Sequence, residues 1–113
     1  MDYMFHLCSP LITLNISHFK TDKVISMSGM FAGCSSIKEL KLTHFKTDNV
    51  ENMNSMFWSC QSLEKLDISN FKFNDKRNVI NMFNECSCSL KEQIKNNFQN
   101  LKKILLKMKR MIR

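Results

Sequence analysis

Four of the five cysteines in this 113-residue sequence share one register: Cys8, Cys34, Cys60 and Cys86 follow one another at 26-residue steps. Thiols brought together by such a period have three chemistries open to them. They can form disulfides, because neighbouring strands lie about 4.8 Å apart, within the Cα separations of about 4.4–6.8 Å that a disulfide tolerates. They can bind a soft metal, although zinc sites usually draw on paired C-x-x-C spacings, which are lacking here. They can also stay reduced and buried, as small apolar side chains. The last reading is preferred, since the cysteines form one column among many in the same register. Cys88 breaks the column and is expected nearer the surface. His18 and His44 share another column whose third member is Asn70, which leaves too few ligands for a metal. They are expected as polar positions where a strand ends, and His6 is out of phase with both. There is no G-x-S-x-G and no Gly-rich phosphate loop. No enzyme activity, cofactor or metal is expected.

The elements that must position these columns are legible in the repeat itself, which is the first thing to seek in a sequence of this kind. Met-Phe-x-x-Cys occurs at Met4-Phe5-Cys8, Met30-Phe31-Cys34, Met56-Phe57-Cys60 and Met82-Phe83-Cys86. Further columns are Leu11/Ile37/Leu63, Leu14/Leu40/Leu66, Ile16/Leu42/Ile68 and Phe19/Phe45/Phe71. Each unit has two phases. The first, L-x-x-L-x-L, ends in the alternation of a short strand. The second, V-x-x-M-x-x-M-F-x-x-C, steps by three and four, which predicts one face of a short helix or 3₁₀ segment. Asp22 and Asp48 precede it as N-cap candidates. A single unit cannot bury its own apolar face, but stacked units can. The expected fold is therefore an α/β repeat solenoid, leucine-rich-repeat-like, with one short parallel strand and one short helix per 26-residue turn. It spans 1–89, as a partial unit 1–10 and units 11–36, 37–62 and 63–89, followed by a basic amphipathic helix over 90–113. The third unit drifts, with Phe73-Asn74-Asp75-Lys76 where the others read Thr-Asp-x-Val; atypical end repeats are usual in solenoids.

The pattern L-x-x-L-x-L-S-x-F-x-T-x-x-V-x-x-M-x-x-M-F-x-x-C-x-S-L resembles the BspA-type leucine-rich repeat. Leu11–Ser36, Ile37–Ser62 and Leu63–Ser89 carry it, with Met4–Pro10 as a partial unit. The resemblance implies a surface or secreted protein of the adhesion kind, which binds another protein, host or cell-surface, without catalysis. The family usually reads Asn-Phe-Asp-Thr where this chain has His18-Phe19-Lys20-Thr21 and His44-Phe45-Lys46-Thr47; Asn70 keeps the Asn. The N-terminus, MDYMFHLCSPLITL, lacks a basic n-region and does not read as a signal peptide. The chain opens in mid-repeat, as a piece or degenerate copy of a longer array would.

The outward strand positions are the expected protein-binding face: Thr13 and Asn15, Glu39 and Lys41, and Glu64, Lys65 and Asp67. They are mixed in sign and change from unit to unit. Trp58 stands where other units have His6, Ala32 and Asn84, and is a second binding candidate, since exposed Trp is favoured at interface centres. Charge falls elsewhere. The nine basic and nine acidic residues of 1–89 cancel, so the whole +7 lies in 90–113. The body is thus no basic platform for nucleic acid, and the tail, with Phe98 as its aromatic, carries no nucleic-acid reading motif. Ile94, Phe98, Leu101, Leu105, Met108 and Ile112 step by three and four, opposite a Lys-rich face. This helix is expected to cap the last unit. The alternative is contact with an anionic membrane surface or a partner through Lys102, Lys103, Lys107, Lys109 and Arg110. A third possibility for the whole chain is a repeat fragment with a structural role only.

Overall fold

The structure is a computed structural model, and it describes residues 1–8, 12, 14–72, 79 and 81–97. Its regular elements are β1 (Glu39–Lys41), β2 (Lys65–Asp67) and α1 (Cys88–Asn97). The two strands are parallel, with Glu39 opposite Lys65, Leu40 opposite Leu66 and Lys41 opposite Asp67. That register is the repeat period. An isolated parallel bridge between Ser26 and Asn52 repeats it. The strands are short because each unit spares only three residues before the chain turns. The alternation works as expected: Leu40 and Leu66 point inward and are buried, while Glu39, Lys41 and Lys65 are exposed. Over Leu14–Ile16, where the pattern recurs, no strand is formed.

The second phase of each unit takes a form the three-and-four spacing does not predict. Alternate N–H groups close turns: Met30 to Met27 O (3.3 Å), Ala32 to Gly29 O (3.1 Å) and Cys34 to Phe31 O (3.1 Å). The N–H groups between them leave the unit. Met27, Gly29, Phe31 and Gly33 donate to Asn52, Asn54, Met56 and Trp58 of the next, at 2.8, 2.8, 2.9 and 2.7 Å. A helix needs all its donors for itself; here half of them go to the neighbour. The backbone confirms turns, with positive φ at Gly29 and Gly33 and at the equivalent Tyr3, Leu7, Ser55, Ser59, Asn81 and Glu85. A positive φ at the third residue of a turn is the mark of type II. Asp22 and Asp48 therefore have no helix to cap. Their carboxylates instead meet Lys46 and Lys72 one unit on, at 3.6 and 3.0 Å.

Between these layers lies a single apolar core. Phe5, Phe31, Phe57 and Phe83 stack nearly parallel, with centroids 5.6, 5.7 and 5.5 Å apart. Phe45 and Phe71 form a second column at 6.5 Å. Met27, Met30, Met53, Met56 and Met82 fill the spaces between and are buried. Leu90 and Ile94 of α1 are buried in the same cluster. The rest of the apolar stripe expected over 90–113 lies outside the described residues.

Candidate functional site

The outward strand face is built by β1 and β2 from residues whose neighbours along the chain are core. Glu39 and Lys41 project from β1 and form a wide ion pair at 3.8 Å, both largely exposed; such pairs contribute about 0–1 kcal/mol. Lys65 is exposed and Asp67 half-buried on β2. Asp67 Oδ1 accepts from the Ser69 N–H (3.1 Å) and hydroxyl (2.7 Å). Asn15 Oδ1 does the same for Ser17, at 3.2 and 2.8 Å. Asn15 and Asp67 are thus held in Asx-type turns, Asp67 at the end of β2, and each has less freedom to meet a partner than Glu39, Lys41 or Lys65. Glu64 is exposed beside them, its N–H donated to Lys38 O at 2.9 Å. Thr13 lies outside the described residues, as do Lys102, Lys103, Lys107, Lys109 and Arg110. Trp58 is half-buried, on the turn side of its unit and apart from the strand face, and its carbonyl accepts from Gly33.

Behind this face run polar ladders that sequence reasoning missed. Thr21 and Thr47 are 1 % and 0 % exposed, although the repeat pattern alone assigns them no role. Thr21 Oγ1 accepts from Lys46 N (2.8 Å) and lies 3.2 Å from Lys46 O, to which it donates; Thr47 Oγ1 accepts from Lys72 N at 2.9 Å. The signal was present, since the Thr recurs in register beside an apolar column. The His18/His44/Asn70 column also has a role. His44 Nε2 lies 2.6 Å from Ile16 O, and Asn70 donates its amide to Thr43 O. His44 and Asn70 each reach a carbonyl of the preceding unit, which explains how His and Asn can exchange there.

All five cysteines are free thiols; Cys34, Cys60 and Cys86 are buried, Cys8 half-buried and Cys88 exposed. The three buried Sγ atoms donate to the carbonyls of Phe5, Phe31 and Phe57 at 3.0, 3.1 and 3.0 Å. Burial pushes Cys34 and Cys86 up to about 11 and Cys60 further still. A thiol held protonated is a poor nucleophile and a poor metal ligand. Among the described residues no three His, Cys, Asp or Glu side chains gather as a metal site, and no helix is long and apolar enough to cross a membrane.

Over residues 1–113 the sequence matches the family described as Mycoplasma protein of unknown function, DUF285. The chain belongs to that family. No curated protein and no solved structure matches it. The DUF285 chain thus joins a family defined by sequence, with its strand face, buried threonine and thiol ladders and turn segments as the features from which function must be argued.

Proposed function

We propose that this DUF285 chain is a non-catalytic protein-binding segment of a BspA-type leucine-rich-repeat solenoid displayed at a cell surface. The observation that carries the reading is the contrast between its two sides. Inward positions repeat every 26 residues in stacked Phe, Met, Thr and Cys columns. Outward strand positions in the same register do not: Glu39 faces Lys65, and Lys41 faces Asp67. A rigid scaffold with a changing polar surface is what a recognition face requires, and fold alone would not name its target. The buried thiols of Cys34, Cys60 and Cys86, held protonated and engaged with carbonyls, are poor nucleophiles.

The test uses beads coated with the full chain on an epithelial cell monolayer. The native chain should adhere. The charge-reversed variant Glu39→Lys/Lys41→Glu/Lys65→Glu/Asp67→Lys should lose most of that adhesion while keeping its far-UV spectrum. Equal adhesion by the variant, or none by the native chain, sinks the reading.

A further inference from the structure

The two strand rows carry opposite charge, position by position. Around β1 the chain reads Lys38-Glu39-Leu40-Lys41, and around β2 Glu64-Lys65-Leu66-Asp67. The parallel register sets Glu39 against Lys65, Leu40 against Leu66 and Lys41 against Asp67. Lys38 and Glu64, just ahead of the strands, continue it, since Lys38 O accepts the N–H groups of Glu64 and Lys65 at 2.9 and 3.1 Å. The inward leucine repeats, while every charged column inverts its sign. The corresponding positions of unit 11–36, Ile12, Thr13 and Asn15, are uncharged, so the inversion is confined to these two rows.

All six charged side chains are exposed except the half-buried Asp67. Opposite charges facing one another across two strands can steady a sheet by themselves, and the two rows would then pair with each other. They do not. Among the described residues the ion pair on this face is Glu39–Lys41, which lies within β1 and is wide at 3.8 Å; none crosses from β1 to β2. An exposed pair of that kind is weak, so its members are readily given up to a partner.

We propose that the strand face binds the strand face of a second copy of this chain, about a twofold axis that runs along the strands midway between β1 and β2. The inference rests on the reading of this face as a recognition surface and adds a second copy to the partners it takes. In such a pair β1 of each copy lies on β2 of the other, with the strands parallel and the stacks opposed. Lys38 then meets Glu64, Glu39 meets Lys65 and Lys41 meets Asp67 across the interface, and the symmetry makes each meeting occur twice. Inversion of sign between two rows is the condition for a surface to complement its own copy in this way. Moving the axis onto β1 would set Glu39 on Glu39 and Lys41 on Lys41, and such like-charge contacts are disfavoured. An axis along the stack would match Glu39 with Lys41 but leave Lys38 and Glu64 without a charged counterpart. The charges thus select one arrangement as well as one partner.

Sedimentation equilibrium of the full chain should show a dimer that dissociates on dilution. Two variants exchange charges within one row and leave the net charge unchanged: Glu39→Lys/Lys41→Glu in β1, and Lys65→Glu/Asp67→Lys in β2. Each sets like charges together in two columns and should pair about tenfold or more weakly than the native chain. An equimolar mixture of the two restores opposite signs in every column across the interface and should pair as the native chain does. The variant carrying all four changes should also pair natively. It has no like charges across its own strands, so it tests the pairing even where a single-row exchange loosens the sheet. A native chain that stays monomeric up to about 1 mM, a single-row variant that pairs like the native chain, or a four-change variant that stays monomeric would overturn the proposal. The same four-change variant separates this proposal from the last, since it is expected to lose adhesion to epithelial cells and to keep pairing with itself. Adhesion without self-pairing defeats only the present inference, and self-pairing without adhesion defeats only the earlier one.

Discussion

Thr47 shows what the columns demand of a single residue. Its hydroxyl is fully buried and is the acceptor for the Lys72 N–H. Thr47→Val keeps the shape and strands that donor, so a loss of about 1–3 kcal/mol is expected in urea unfolding. Thr47→Ser keeps the oxygen and should lose distinctly less. The thiols make a second prediction, on pH. Cys34 and Cys86 titrate near 11 in the folded chain, raised from 9.0 by burial. In the unfolded chain they ionise first, so the folded state holds more protons between those values. Stability should be unaffected by these thiols below about pH 8 and fall as pH rises from about 9 through 11. The double variant Cys34→Ala/Cys86→Ala should show a shallower fall over that range; an identical slope would rule the linkage out. The sequence shows which thiols are alike, because one period holds them. It does not show the acceptor of each S–H, since that is a backbone carbonyl of another unit.

Within one element, the turn segment, local reading and structure part company for a physical reason. V-x-x-M-x-x-M-F-x-x-C steps like a helix face, yet a single unit contains no hint that half its N–H groups bond the next one. Left-handed positions are usually betrayed by glycine, but here six of the eight carry other residues. The two glycines mark the pattern where it is tightest. A Cβ at Gly29 would fall on the ring of Tyr3, and one at Gly33 would press on Leu7. Gly29→Ala places an L side chain at φ 61°, which costs roughly 1–2 kcal/mol, and Tyr3, exposed, can swing aside. Ser55→Gly relieves the same conformation one unit on but adds freedom to the unfolded chain, so it should stay within about 1 kcal/mol of native. Thermal melts of both variants would check the contrast, and equal losses would mean the turns tolerate side chains indifferently. The Phe columns, by contrast, are visible in the sequence. Phe57→Ala, in the middle of its stack, and Phe45→Ala, fully buried beside Phe71, should each lose about 3–5 kcal/mol.

For the whole molecule, the division of charge is the property the sequence declares most openly and the one whose consequence depends on where an apolar stripe goes. The excess of +7 lies in 90–113, and that segment begins with Leu90 and Ile94, both buried in the core cluster. A tail whose apolar stripe covers the last unit leaves only its charges to meet a membrane. Each basic residue near an anionic surface contributes about 1 kcal/mol, and salt screens it. The full chain should therefore co-sediment with phosphatidylserine-rich vesicles at low ionic strength and release at about 0.5 M salt, where the screening length falls below about 5 Å. The full-length variant with Lys102, Lys103, Lys107, Lys109 and Arg110 all changed to Gln should not sediment at all. Binding that survives high salt, or survives in that variant, would mean that apolar side chains enter the bilayer. The stripe would then be facing lipid in place of the last unit. Leu90→Ala separates the two further. A residue closing the core should lose about 2–5 kcal/mol on truncation, whereas one facing a membrane would leave unfolding in vesicle-free buffer unchanged.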